Sequence, residues 1–136
     1  MNWIEPKTNW NAQDFFNIND YNRIINNVHC LKVLAAEILE GHNTPSNEIV
    51  EKNYTSMIYA SEINAIENDI DAFNETTYRL GIGDKKTYYP NEKTMDYIEL
   101  NRIESACLIL YNTLVAHKTA LPSLEFTLGG QKGIDV

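Results

Sequence analysis

Few residues in this chain have a type and spacing that could do chemistry. The three histidines, His29, His42 and His117, stand at no metal-ligand spacing with one another or with Cys30 and Cys107. Each reads as a surface or helix-end residue. Neither cysteine carries a motif that marks a nucleophile. Both fall in helical stretches, so they read as reduced core thiols rather than a disulfide. Carboxylates gather at Glu62, Glu67, Asp69, Asp71 and Glu75. They lack the glycine and ligand spacing of a calcium loop, and no Glu-x-x-His pair of a di-iron bundle accompanies them. They read as a solvated helix face. The run Gly81-Ile82-Gly83-Asp84-Lys85-Lys86-Thr87 has phosphate-loop residue types, but it lacks the four-residue gap before Gly-Lys-Thr and follows no strand. No catalytic, metal or cofactor constellation emerges, and the chain is expected not to be an enzyme.

What does recur is a segment of type acid, apolar, Asn, x, Ile, with an apolar residue four positions later. It occurs as Asp20-Tyr21-Asn22-Arg23-Ile24 with Val28, as Glu62-Ile63-Asn64-Ala65-Ile66 with Ile70, and as Glu99-Leu100-Asn101-Arg102-Ile103 with Cys107. Spacings of three and four put the apolar residues on one stripe of an α-helix. The first stripe continues through Leu31, Ala35 and Ile38, the second through Phe73 before weakening at Thr77, and the third through Leu110 and Leu114. This is the a/d pattern of a helical bundle or coiled coil. Ile25, Leu34, Leu39, Leu108, Tyr111 and Val115 widen the first and third stripes, so those helices are expected to be the more deeply buried. The asparagine, one turn inside each helix, can reach backbone at the helix start or in a neighbouring loop. Either the motif is simply a good helix start used three times, or it descends from one repeated unit whose Asn and Arg also bond between helices or subunits.

The predicted fold class is mainly α: a three-helix, coiled-coil-like bundle with an extended N-terminal arm and a short C-terminal β-strand. The arm is residues 1–16, and the helical domain is 17–119, with helices near 19–40, 55–80 and 95–118. Asn17 or Asn19 can cap helix one, and Gly41 ends it. Helix two starts at Ser61 or as early as Thr44, with Pro45 at the first helical position, and Gly81 and Gly83 terminate it. Helix three fades around Thr119, before Pro122. The tail 120–136 holds one alternating stretch, Leu124, Phe126 and Leu128, bounded by Gly129-Gly130. A lone strand of this kind needs another sheet or subunit to pair with. The helices either fold back as an antiparallel bundle or pair their stripes between subunits. The loop at 81–94 exceeds the ~2–8 residues usual in bundles, which leaves room for a non-adjacent return.

With 136 residues, 43% hydrophobic and 22% charged, the chain suits one domain with a real core. Its net charge of -8 and scattered basic residues disfavour nucleic acid and anionic membranes as partners. No apolar run approaches the ~20 residues of a membrane span, and the first ten residues do not resemble a secretory signal. Synthesis in a bacterial cytoplasm is the expectation. The abundance of asparagine is read as a coding bias.

The opening Trp3, Pro6, Lys7, Thr8, Trp10, followed by Phe16, Asn17, Asp20, Tyr21, Asn22, Arg23, Ile24 and Asn27, resembles the start of virion structural proteins from tailed phages and prophages of Gram-positive bacteria. The Asn101 to Glu104 string is similar. The resemblance spans roughly residues 3–40 and the repeat starts, and it is moderately specific. The chain departs from the pattern at Asn9, where Asp is usual, and at Ala65, where Arg is expected; helix two is therefore expected to lack a contact that helices one and three make. The resemblance implies a structural role in a tail, baseplate or related contractile particle, with other particle proteins and copies of itself as partners, and no catalytic residues. Interface candidates are Trp3, Trp10, Phe15 and Phe16 on the arm, Tyr88 and Tyr89 in the loop, and Leu124, Phe126 and Leu128 in the tail. Trp3 and Trp10 alternatively cover the chain's own bundle. A reading of another class is an acidic inhibitor or immunity-type protein that masks a basic partner.

Overall fold

The computed structural model describes residues 2–39, 49–53, 57–91 and 95–128, with side chains up to residue 120. Among the described residues three helices form: α1 (Ile18–Ile38), α2 (Ala60–Thr76) and α3 (Tyr97–Leu128). Each is preceded by an extended segment, here called arm 1 (2–16), arm 2 (49–53 and 57–59) and arm 3 (79–91). The helix starts share one local logic. In α1, Asn17 and Asp20 exchange two 3.0 Å hydrogen bonds as a full capping box. In α2 only the reciprocal half is made, the Tyr59 N–H donating to Glu62 at 2.8 Å. In α3 the Asp96 carboxylate accepts from the Glu99 N–H at 3.0 Å. The residue before each cap (Phe16, Ile58, Met95) packs on the core in the position of a hydrophobic staple.

The three helices run in the same direction. Near their starts, Arg23 of α1 reaches Glu104 of α3, and Arg102 of α3 reaches Glu67 of α2. Farther along, Glu37 near the end of α1 pairs with Lys118 of α3, and Tyr78, just past α2, bonds to His117, both about two-thirds of the way along α3. Starts meet starts and the order of contacts then rises along all three helices together, which corrects the antiparallel alternative. Each connection must return the full length of the bundle, about 25–30 Å for helices of 17 and 21 residues. This is why the connections are long.

The a/d stripes meet in one core of Tyr21, Ile24, Val28, Leu31, Ile66, Ile70, Phe73, Ile103, Cys107, Leu110 and Leu114, each at most 4% exposed. Fully burying such a side chain stabilises by about 1.5–3 kcal/mol. Contact is most extensive between α1 and α3. Both cysteines are buried and unpaired. No helix among the described residues is long and apolar enough to cross a membrane.

Three boundaries differ from the sequence reading. Helix α2 begins beside Ser61, not near 55, and stops at Thr76, ahead of Gly81. It stops early because Asn74 turns its amide onto the backbone of Leu80, while Arg79 adopts φ 53 and donates its N–H to the Asn74 carbonyl. Helix α3 runs to Leu128, so the backbone of residues 124–128 is helical where a short strand was expected. No strand forms among the described residues to pair with one there, whereas a helix satisfies its backbone internally.

Candidate functional site

The repeated asparagine is the centre of the site. Asn101 of α3 accepts from the Trp10 N–H at 2.8 Å and donates to the Trp10 carbonyl at 3.0 Å. Asn22 of α1 treats Lys52 the same way, at 2.8 and 2.7 Å, and Asn64 of α2 treats Tyr88 the same way, at 2.7 and 2.8 Å. A side-chain amide has one acceptor and one donor end, so it can satisfy both backbone groups of a single extended residue as a neighbouring strand would. The arrangement is cyclic: α1 clamps the arm leading into α2, α2 the arm into α3, and α3 the arm into α1. From clamped residue to clamping asparagine the chain advances twelve residues (Trp10 to Asn22), twelve (Lys52 to Asn64) and thirteen (Tyr88 to Asn101). The chain is thus three arm-and-helix units closed around a pseudo-threefold axis. Two further asparagines use the same two-bond grip, Asn27 on Ile4 and Asn74 on Leu80. Part of the asparagine content therefore has a structural use beyond coding bias.

Beside two of the clamps sits a buried carboxylate, three residues after the asparagine. Glu104, 1% exposed, accepts from Arg23 Nε and Nη2 at 2.9 and 2.6 Å, from Trp10 Nε1 at 2.7 Å and from the Lys7 N–H at 3.1 Å. Glu67, 2% exposed, accepts from Arg102 Nη2 at 2.5 Å, from the Tyr88 hydroxyl at 2.9 Å and from the Lys86 N–H at 3.3 Å. Each arginine also holds the acid at the start of its own helix: Arg23 to Asp20 at 2.9 Å, Arg102 to Glu99 at 2.7 Å. The hydrogen bond to Glu104 raises the Arg23 pKa above its ordinary value. Gly83, at φ 88, lets arm 3 pass close over Arg102; a Cβ there would lie 2.7 Å from Arg102 Cδ.

The third seam, between α1 and α2, is made differently. Ala65 stands in the arginine position, Ile25 in the glutamate position and Lys52 in the aromatic one. One charge of a buried pair without the other would be stranded, which fits the absence of both at Ala65 and Ile25. Ile25 is fully buried in the core. Lys52 supplies the missing cation itself, bonding Glu62 at 2.6 Å. Helix two does lack the arginine contact made by the other two.

The sequence-derived candidates divide accordingly. Asn22, Asn64, Asn101, Arg23 and Arg102 come together in the seams. Trp10 and Tyr88 were candidates for an interface, but their side chains are buried within this chain, because each donates to an internal carboxylate. Trp3 stacks on Tyr111 (centroids 4.0 Å apart, planes 4° off parallel), and Phe16 meets the Trp10 ring edge-on. Phe15 and Tyr89 stand exposed, at 89% and 57%. The side chains of Leu124, Phe126 and Leu128 lie outside the described residues.

Two residues of the supposed solvated face, Glu67 and Asp69, are buried instead, and Asp69 pairs with Lys32 of α1. Both lie on the inner side of α2, beside Ile66 and Ile70. Sequence reasoning missed Glu67 as a site residue; a glutamate three positions after the clamping asparagine in two of three repeats was the available signal. Lys52 had none.

The other groups with chemical potential are spread out. His29 bonds the Ile49 carbonyl at 3.1 Å, and His42 lies outside the described residues. Among the described residues no three His, Cys, Asp or Glu side chains gather in a way that could hold a metal. Burial, reinforced by the Glu104 charge, pushes the Cys107 thiol up to about 12. What the seams do chemically is recognise an extended backbone residue together with an aromatic or cationic side chain. No family model, curated protein or solved structure matches this chain.

Proposed function

We propose that this chain is a non-enzymatic structural or assembly component of a phage tail, baseplate or related contractile particle, docking to neighbouring subunits. The observation that carries the reading is the use of the motif. Of the residues that create the resemblance to virion proteins, Trp10, Asp20, Arg23, Asn101 and Glu104 are joined to one another in closing the chain's own frame, while Asn22 holds the backbone of Lys52 and Arg102 holds Glu67. At the seams, the polar groups that could have served chemistry hold backbone. Large apolar side chains remain outside that frame, including Phe15, Met57 and Ile98. A pinned frame with exposed apolar groups suits a part that locates other proteins.

The test is co-sedimentation of the chain with particles purified from the bacterium that makes it, together with deletion of its gene. Fixed stoichiometry in the particle and incomplete particles on deletion are expected. A chain left in the supernatant, with complete particles formed in its absence, would overturn the proposal. The net charge of -8 favours a second reading, an inhibitor that masks a basic protein. That reading requires a stable monomer forming a stoichiometric complex with a basic partner away from any particle.

A further inference from the structure

In the first two seams the clamped arm follows its clamping helix through one connection: Asn22 and Lys52 are 30 residues apart, Asn64 and Tyr88 24. In the third, Asn101 holds Trp10 across 91 residues. Arms 2 and 3 lie between helices of the bundle, so neither leaves its seam without drawing a helix with it. Arm 1 precedes all three helices and leaves with none of them. It also carries its whole recognition chemistry within residues 2–10. The Asn2 carbonyl accepts from Asn26 at 2.7 Å, and Ile4 bonds Asn27 through its N–H and C=O at 3.0 and 2.8 Å. The Lys7 N–H and the Trp10 indole donate to Glu104, and Trp10 closes the strip on Asn101. Trp3 stacks on Tyr111, and Pro6 is buried. Pro6 fixes its own φ and biases Glu5 toward extended backbone, so a released arm already favours the shape that the groove between α1 and α3 accepts.

Between arm 1 and α1 the chain reverses through a turn at residues 11–14. The Asp14 N–H donates to the Asn11 carbonyl at 3.1 Å, the Gln13 N–H to the Asn11 side chain at 2.9 Å and the Asn11 N–H to the Asp14 carboxylate at 3.0 Å. These bonds are local, and Asn11, Ala12 and Gln13 are exposed. A cleft of about 370 Å³, lined by Asn11, Asp14, Met95 and Tyr97, separates the turn from the start of α3. The turn is a bridge over that cleft, so opening it costs little beyond its own exposed bonds and the Lys7–Asp14 ion pair. Beside it, Phe15 (89% exposed) and, in the first turn of α3, Tyr97 (40%) and Ile98 (57%) leave apolar surface uncovered. The acids around the hinge are paired, Asp14 with Lys7, Asp20 with Arg23 and Glu99 with Arg102. Two such ends can therefore approach, and the repulsion from the net charge of -8 is screened beyond about 8 Å at physiological salt.

We propose that arm 1 is exchanged between two copies of this chain, each laying residues 2–10 into the α1–α3 groove of the other to form a reciprocal dimer. Every bond of the closed seam is remade between chains by the same groups. The cost is that of association, and the gain is apolar burial where the two hinges cross. One-way donation leaves a groove empty, whereas the reciprocal pair fills both and closes by twofold symmetry. The proposal goes beyond the particle reading and does not depend on it.

The experiment uses two preparations of the full chain, one isotope-labelled with a photo-crosslinking phenylalanine analogue in place of Trp3, the other unlabelled and unmodified. They are mixed in urea, refolded together, illuminated and read by intact and peptide mass spectrometry. Expected are heavy–light pairs joined near Tyr111 of the unlabelled copy, in a fraction that grows as concentration approaches ~1 mM, the effective concentration of a short tether. Deleting Ala12 and Gln13 removes the reversal and should raise that fraction roughly ten-fold or more, while a short glycine-serine insertion between them should lower it. The same analogue at Tyr89, exposed in arm 3, is the control and should give no such pairs. Crosslinks confined to single chains at every concentration, heavy–light pairs as frequent from Tyr89 as from Trp3, or species larger than dimers overturn the proposal. Should circular dichroism show the deletion chain unfolded, the concentration series of the parent decides alone. Monomers throughout overturn the exchange and leave the particle reading to its sedimentation test; a dimer formed by a chain absent from particles does the reverse.

Discussion

Replacing Glu104 by glutamine keeps the side chain's shape and removes its charge, which isolates what the carboxylate does. Each of its oxygens now accepts two bonds, Oε1 from Lys7 and Arg23 Nε, Oε2 from Trp10 Nε1 and Arg23 Nη2. A glutamine must turn its NH2 toward one of these donor pairs, so two hydrogen bonds are lost in either orientation and Arg23 loses its principal counter-ion. Breaking a buried ion pair costs about 3–5 kcal/mol. Arg23 keeps Asp20 and some solvent contact, which points to the low end, about 3 kcal/mol. For a chain of this length that is a fall of roughly 10 °C in thermal midpoint.

Circular dichroism during heating measures the midpoint, and urea unfolding gives the free energy. Tryptophan fluorescence adds a local readout, because Trp10 should gain solvent while Trp3, stacked on Tyr111, does not. A cycle with Arg23→Gln should give a coupling near 2 kcal/mol, the double variant being less damaged than the two single losses summed. A Glu104→Gln midpoint within ~2 °C of the parent, or strictly additive losses in the cycle, would refute the view that this carboxylate ties arm 1 to α1 and α3.

The cyclic equivalence of the seams has its own test at the third one. Ile25→Glu alone should cost at least ~3 kcal/mol by burying an unpaired carboxylate in place of a core side chain; adding Ala65→Arg should recover about 2 kcal/mol, and no recovery would mean that the seams are not related as described. Asn101→Ala should destabilise by about 2–4 kcal/mol, since it leaves the N–H and C=O of a buried Trp10 without partners, and urea midpoints should rank it below Asn112→Ala, at an exposed position of the same helix.

Alkali should also loosen the core. Burial lifts Cys107 from an ordinary 9.0 to about 12 and Tyr21 from 10.0 to about 12, the latter helped by Glu62, and it raises Tyr88 further. The native state therefore keeps protons that the unfolded chain releases, so this stabilisation is complete below about pH 9 and declines from there toward pH 12. Urea midpoints equal at pH 8 and pH 11 would contradict that burial.

The helical content was legible because its causes are local. Apolar spacings of three and four and an acid in the first turn act within a few residues and recur in all three helices, and an asparagine or aspartate caps α1 and α3. The odd member was legible too, since Ala65 interrupts the pattern. The C-terminal strand misled because alternation at Leu124, Phe126 and Leu128 states a preference, while a strand needs an edge to pair with. Glu67 and Asp69 misled because a run of acids says nothing of which face turns inward.

By itself, then, the sequence determined that there are three helices, that they start alike, and that one of them lacks an arginine. Only the tertiary structure decided that they run parallel, that each asparagine holds the arm belonging to the next unit, and that Trp10 and Tyr88 point inward to buried glutamates. The physical reason is distance along the chain. A capping box spans three residues, whereas Asn101 meets Trp10 across 91 and Arg23 meets Glu104 across 81. No local periodicity encodes such meetings. They follow from which way the connections return and from the need of every buried donor and charge to find a partner.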